Sequence, residues 1–250
     1  MIISRGGKDI IRGLGGKDRI CGGPGRDSIY GGTGPDLISG FLAADRIYGD
    51  SGNDFLAGGA SWDELFGESG NDALSGGAGR FDRLYGGDGN DSLRGGEGDY
   101  DWLHPGAGDD SSFGGPGQGD TAAFINADGP VVVSLQARTA TGSGTDSLTG
   151  LENILGSPFN DTLTGDGGPN AIVDKDNRLS AGADIIFGLG GDDYIRAGGG
   201  NDELDGGRGN DHLRGRDGND SLDGGNGNDH LEGGGGTDIC INGETHQSCE

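Results

Sequence analysis

"GGRGNDHLRGRDGNDSLDGGNGNDHLEGGGGTD", residues 206–238, repeats nearly the same nine residues, and its only bulky apolar side chains are Leu213, Leu222 and Leu231. Each leucine follows an aspartate by two positions, so an acid and an aliphatic recur together at a fixed interval. That regularity decides how the composition is read. The 250 residues include 61 glycines, are only 30% hydrophobic and carry a formal net charge of −25, a balance that usually describes a self-repelling chain without a core. A disordered acidic chain has no reason to keep charge and aliphatic in register, so the repeat takes precedence.

Working outward from this stretch, the closing aspartate recurs at Asp184, Asp193, Asp202, Asp211, Asp220, Asp229 and Asp238 in steps of nine. Nearer the start the same step links Asp9, Asp18, Asp27, Asp36, Asp45, Asp54, Asp63 and Asp72. Two residues after each stands Ile or Leu, Cys240 being the exception. The unit is G-G-x-G-x-D-x-(Ile/Leu)-x, complete in "GGPGRDSIY" and "GGNGNDHLE". Its glycines suit a sharp turn that needs positive φ, and the three residues after aspartate alternate outward, inward, outward as a short strand. Two units make a coil of 18 residues; coils stacked about 4.8 Å apart as parallel strands bring aspartates 18 apart onto one edge.

The irregularities support two distinct edges. From Asp72 the steps become 10, 9, 10, 9, 10 through Asp82, Asp91, Asp101, Asp110 and Asp120. The added residue falls in every second turn, "GGAGRFD", "GGEGDYD" and "GGPGQGD". The expected fold is therefore all-β, a parallel β-roll, or β-solenoid, of 18-residue coils.

Two aliphatics per coil are too thin a core to offset the ordering of so glycine-rich a chain, and stacked aspartates repel. A cation between them resolves both problems, and carboxylate with carbonyl oxygens suits a hard ion. Calcium (Ca2+) fits best: magnesium demands stricter geometry, and four histidines with three cysteines are too scattered to make zinc general.

These units closely resemble the RTX, or hemolysin-type, calcium-binding nonapeptide repeat. The resemblance implies multiple calcium ions between consecutive turns on both edges, with pairs such as Asp202 and Asp220, or Asp211 and Asp229, ligating between neighbouring coils and glycine-position carbonyls completing the shell. The expected ligand set is every aspartate of the register together with Asp161, in "NDTLTG", except Asp45, whose turn "GFLAAD" is degenerate.

The register divides the chain into an N-terminal repeat block, residues 1–120, a bridging segment, 121–182, a C-terminal repeat block, 183–240, and a tail, 241–250. The bridge reads as a continuation of the solenoid with longer turns, and Ser112 and Ala122, in aliphatic slots, mark the weakest stretch of the ladder. In the tail, Cys240 and Cys249 are close enough for a bridge that caps the roll; the alternative is a buried thiol at Cys240 and a free one at the end. Cys21 has no evident partner.

Other constellations carry less. "GGKD" lacks the serine or threonine of a phosphate-binding loop, and "DKDN" at 174–177 begins like an EF-hand but lacks its sixth-position glycine and acidic twelfth ligand. There is no H-E-x-x-H and no G-x-S-x-G, so no enzyme is expected. His212 and His230, 18 apart in the same outward slot, read as solvated residues, the alternative being an incomplete two-histidine metal site. Strong acidity argues against nucleic acid and anionic membranes, and no span of 18 apolar residues exists.

Sites of the extracellular affinity class need calcium at about 10⁻⁴ to 10⁻³ M, so the protein is expected outside the cell, although the opening "MIISRGGKDI" is no signal peptide and an upstream segment is expected to be missing. Two functions remain: a calcium-folded structural or adhesive module, which is favoured, or the secretion and folding domain of a larger toxin or hydrolase. Trp62, Phe81 and Tyr100, each 19 residues apart just before an aspartate, are expected to align beside one edge, chiefly covering the enlarged turns. The functional alternative is a platform for extracellular polysaccharide or cell-surface sugars. Oligomeric state has no signature in the sequence.

Overall fold

A computed structural model describes residues 1–173 and 182–249; the EF-hand-like "DKDN" lies outside the described residues. The chain forms two compact units, Met1–Ala122 with Gly144–Leu151, and Ala123–Ser143 with Glu152–Glu250. Each is built from short strands of the expected pattern, with the middle residue of each strand triplet inward.

In the first unit one parallel sheet runs through Arg19–Pro24, Leu37–Leu42, Phe55–Ala60, Ala73–Ala78 and Ser92–Gly96, aligning Ile20, Ile38, Leu56, Leu74 and Leu93. The other runs through Ser28–Thr33, Arg46–Ser51, Glu64–Ser69, Arg83–Asp88 and Trp102–Ala107, aligning Ile29, Ile47, Leu65, Leu84 and Leu103. These aliphatics are almost fully buried and face one another across the coil. The coil is thus an 18-residue loop, lengthened to 19 where the insertions fall, as in the pairing of Leu65 with Leu84.

The ladder narrows where the sequence loses its aliphatics. Ser112 takes the register between Leu93 and Leu148, and its buried Oγ finds no hydrogen-bond partner. Ala122 follows Leu103 in the other sheet.

The second unit repeats the plan, with Leu163, Ile186, Leu204 and Leu222 aligned in one sheet and Ile154, Ile172, Ile195, Leu213 and Leu231 in the other. The bridging sequence is more than a lengthened turn. Val132–Ser134 pairs antiparallel with Thr139–Thr141, a hairpin closed by Arg138 N–H donating to the Leu135 carbonyl at 3.2 Å, and Val132–Ser134 then pairs parallel with Thr162–Thr164. Alternating valines are legible as a strand, but the hairpin partner is chosen by tertiary pairing.

At the end of the chain, Cys240 aligns with Leu222, and Thr245–Gln247 adds a parallel rung beside His230–Glu232. A disulfide joins Cys240 to Cys249, with Cα atoms 5.8 Å apart, and fastens that rung. Cys21 is a free thiol. No helix among the described residues is long and apolar enough to cross a membrane.

Candidate metal centre

The repeat places each aspartate where a turn meets a strand, and the coil stacks it on the aspartate one coil away. In the first unit the backbone N–H of Asp27 donates to Oδ1 of Asp45 at 2.8 Å, Asp45 to Asp63 at 2.7 Å, Asp63 to Asp82 at 2.7 Å, and Asp82 to Asp101 at 2.9 Å. The opposite edge carries the same chain of bonds through Asp36, Asp54, Asp72, Asp91 and Asp110, at 2.7–2.8 Å. In the second unit Asp184, Asp202, Asp220 and Asp238 form one column and Asp193, Asp211 and Asp229 another.

Only one carboxylate oxygen is used in this way. Oδ2 of Asp27, Asp36, Asp45, Asp54, Asp63 and Asp72 is buried without a hydrogen-bond partner, and the same holds for Asp82, Asp91, Asp101, Asp110, Asp193, Asp202, Asp211, Asp220, Asp229 and Asp238. Native proteins hold few such orphans, and each needs an explanation. Here they recur from turn to turn, and most point into a space shared with a backbone carbonyl of the neighbouring coil, that of a glycine for Asp36, Asp54, Asp63, Asp82 and Asp211 and that of Pro105 for Asp91. A methyl group at Gly31 would lie 2.6 Å from Asp36 Oδ2 and 2.7 Å from the Gly49 carbonyl oxygen; at Gly206 it would lie 2.5 Å from Asp211 Oδ2 and 2.8 Å from the Gly224 carbonyl oxygen. At Gly31 and Gly206 carboxylate and carbonyl oxygens converge on the space a side chain would fill; Pro105 and Ala197 occupy the equivalent slot on two other rungs.

Burial of these carboxylates opposes their ionisation. It pushes Asp63 up to about 8, against a backbone N–H bond that lowers it, with Asp82 and Asp45 adding like-charge repulsion. Burial likewise raises Asp91, Asp101 and Asp193 to about 7, and Asp82, Asp202, Asp211 and Asp220 to about 6. An all-oxygen set of buried carboxylates and carbonyls, too crowded with negative charge to be stable alone, fits a hard divalent cation. It does not resemble a nitrogen- and sulfur-rich zinc site.

Asp161, Asp9 and Asp18 differ from this pattern. Asp161 has both oxygens engaged, Oδ1 by Val131 N–H at 2.9 Å and Ser157 Oγ at 2.6 Å, Oδ2 by Ser157 N–H at 2.6 Å. Asp9 accepts a bond from Ser4 Oγ on Oδ2, and with Asp18 lies on the outermost coil, half-buried. Asp120 keeps the pattern, accepting Asp101 N–H at 2.9 Å.

Other members were missed from the sequence. Asp45 belongs to its column despite its turn, because Phe41 (φ 88°) and Ala43 (φ 69°) adopt the left-handed backbone usually left to glycine. Asp146 accepts Asp110 N–H at 3.1 Å and is raised to about 7 by burial. Its signal was present in "GSGTDSL", 36 residues beyond Asp110. Asn170 stands in an aspartate slot and donates its amide to the Glu152 carbonyl at 2.8 Å. Glu244 ends the column after Asp229, accepting its N–H at 2.5 Å. Outside the aspartates runs a second column in which Asn71 N–H donates to Asn53 Oδ1 at 3.0 Å and Asn90 N–H to Asn71 Oδ1 at 2.9 Å.

The expected aromatic row forms only in part. Phe81 and Tyr100 stack at 5.5 Å, with the Arg80 guanidinium over both rings, whereas Trp62 lies under Arg26. A longer row went unread: Tyr30, Tyr48, Phe66, Tyr85 and His104, each just after a core aliphatic, stack at 4.3–4.9 Å with planes within 10°. Each internal ring has both faces covered by neighbours, so the row stiffens the sheet face.

Fold and site define the class, a parallel β-solenoid built from a nine-residue repeat with stacked aspartates at its turns. The profile of the RTX calcium-binding nonapeptide repeat (4 copies) matches residues 2–29, 22–56, 48–80, 76–111, 85–119, 146–172, 180–213 and 205–240, and the chain belongs to that family. No curated protein matches it.

Proposed function

We propose that this chain is a calcium-folded structural module that works outside the cell, with calcium held between successive aspartates of each column. The observation that carries the reading is the repeated orphan Oδ2 turned toward a backbone carbonyl of the next coil. Asp36, Asp54, Asp72, Asp91 and Asp110 on one edge, and Asp27, Asp45, Asp63, Asp82 and Asp101 on the other, supply the carboxylates in the first unit. Asp202, Asp220 and Asp238 with Asp193, Asp211 and Asp229 do so in the second. When bound, the ion supplies positive charge that the buried carboxylates lack; the chain supplies the oxygens and the spacing.

Calcium at extracellular levels then acts as the folding signal, because a chain of charge −25 with so thin a core is opposed in its metal-free state. Its output is the ordered surface of the folded repeats, and no reaction is assigned to it. Phe81 and Tyr100 stack beneath Arg80 while staying about half exposed, and we assign them the role of covering the enlarged turns.

Circular dichroism during a calcium titration tests the reading. The expected result is cooperative gain of β-structure at about 10⁻⁴ to 10⁻³ M calcium, with a weaker response to magnesium. A full β-signal in excess chelator defeats the folding role, and an equal magnesium response defeats the selectivity.

A further inference from the structure

The outer face of the second unit carries a cluster of different chemistry from the calcium edges. His212–Asp217 and His230–Gly235 are neighbouring parallel strands with His212 opposite His230 and Arg214 opposite Glu232. Strand alternation turns all four side chains outward, making a square of two imidazoles, a carboxylate and a guanidinium. Ligand atoms of His212, His230 and Glu232 lie within 4.8 Å of one another. The rings meet edge to face with centroids 4.6 Å apart.

The hydrogen bonds show where a cation belongs. Arg214 Nε donates to His212 Nε2 at 3.0 Å and lies 2.9 Å from Glu232 Oε2, so a positive group already bridges the imidazole lone pair and the carboxylate. His230 Nδ1 lies 2.6 Å from Thr245 Oγ1, which fixes that ring and leaves its Nε2 for another partner. Metal-ligating histidines are commonly held by such a second bond on the other nitrogen.

We propose that His212, His230 and Glu232 form a site for a borderline-soft divalent metal, zinc being the representative ion, which takes the place of the Arg214 Nε–H between them. Two nitrogens and one oxygen with a water in the fourth position are a familiar zinc set, whereas calcium has little use for imidazole. Zinc–ligand bonds of about 2.0–2.2 Å require the three groups to close in, which side-chain rotation on an exposed sheet face allows. His212 and His230 directly follow the column residues Asp211 and Asp229, and strand alternation turns their side chains to the outer face.

The test uses the full chain saturated with calcium, so that folding is constant, and zinc chloride as the probe in isothermal titration. One zinc equivalent is expected. His212→Ala and His230→Ala should each weaken it by at least about tenfold, the scale on which even supporting groups matter. Arg214→Ala should bind zinc more tightly, because the resident competitor is gone; a generic attraction of zinc to an acidic surface gives only a small change there. Cobalt substituted for zinc should show the intense visible bands of tetrahedral coordination. Circular dichroism in calcium confirms that each variant is folded. The proposal is overturned if calcium-loaded protein takes up no zinc, or if the His212→Ala and His230→Ala double variant retains the same zinc affinity.

Discussion

Replacing Asp82 by asparagine should act in opposite directions with and without calcium. Asp82 is fully buried, its Oδ1 accepts Asp63 N–H at 2.7 Å, and its Oδ2 has no hydrogen-bond partner. Asparagine keeps the Oδ1 acceptor, removes the charge, and can put an amide donor toward the Gly95 carbonyl. Burial raises the Asp82 carboxyl from 3.8 to about 6, which corresponds to about 3 kcal/mol against the charged, metal-free fold at neutral pH. Asp82→Asn should therefore stabilise the metal-free fold at pH 7 by up to about 3 kcal/mol. In calcium the same change removes an anionic ligand and should raise the calcium needed for folding. The assay pairs an osmolyte-driven folding curve in chelator with a calcium titration, both followed by circular dichroism. The reasoning is refuted if the substitution shifts both midpoints toward lower stability.

Protons should replace calcium in part. Because burial raises the folded-state aspartates above their unfolded value of 3.8, their protonated form supports the metal-free fold fully below about pH 4, and that support is lost as pH rises through about 6 to 8. In chelator, β-structure should grow as pH falls from 8 to 4, and calcium affinity should weaken over the same range; circular dichroism and calcium titration at several pH values check both. Gly98→Ala should break coil stacking, since its new Cβ would collide with the Gly79 carbonyl oxygen, whereas Gly129→Ala, with nothing within 4 Å, should leave the calcium midpoint unchanged. Leu65→Ala, at a fully buried rung, should cost about 2–5 kcal/mol in a denaturant titration of the calcium-loaded protein. Cys240→Ser should free the Thr245–Gln247 rung, read as faster hydrogen exchange in that strand while the Arg46–Ser51 strand keeps its protection.

Where the repeat is intact, sequence and structure are almost the same statement. The inward residue, the turn and the stacked aspartate each occupy a fixed letter of the unit, so Ile47, Asp63 and Leu213 stand where the periodicity puts them. Failures came where letters and geometry part company. Asp45 sits after the degenerate turn "GFLAAD", yet Phe41 and Ala43 adopt the left-handed backbone there and keep it in its column. Asp146, the next rung after Asp110, is hidden because an inserted segment separates the two by 36 residues, and Glu244 because it joins its column 15 residues after Asp229 instead of 18. The hairpin of Val132–Ser134 with Thr139–Thr141 depends on which strand each edge meets, which no local pattern encodes. The spacing of His212 and His230 was legible; Glu232 and the bridging Arg214 became meaningful only once the two strands lay side by side.

The central claim is that the buried aspartate columns are cation ligands, and anomalous scattering from crystals of the calcium-loaded protein tests it most directly. Calcium peaks are expected along both edges, each within about 2.3–2.6 Å of an aspartate Oδ2 and of glycine-position carbonyl oxygens. Ordered calcium-loaded crystals in which these Oδ2 atoms bind water or protein donors, with calcium only elsewhere on the surface, would contradict it.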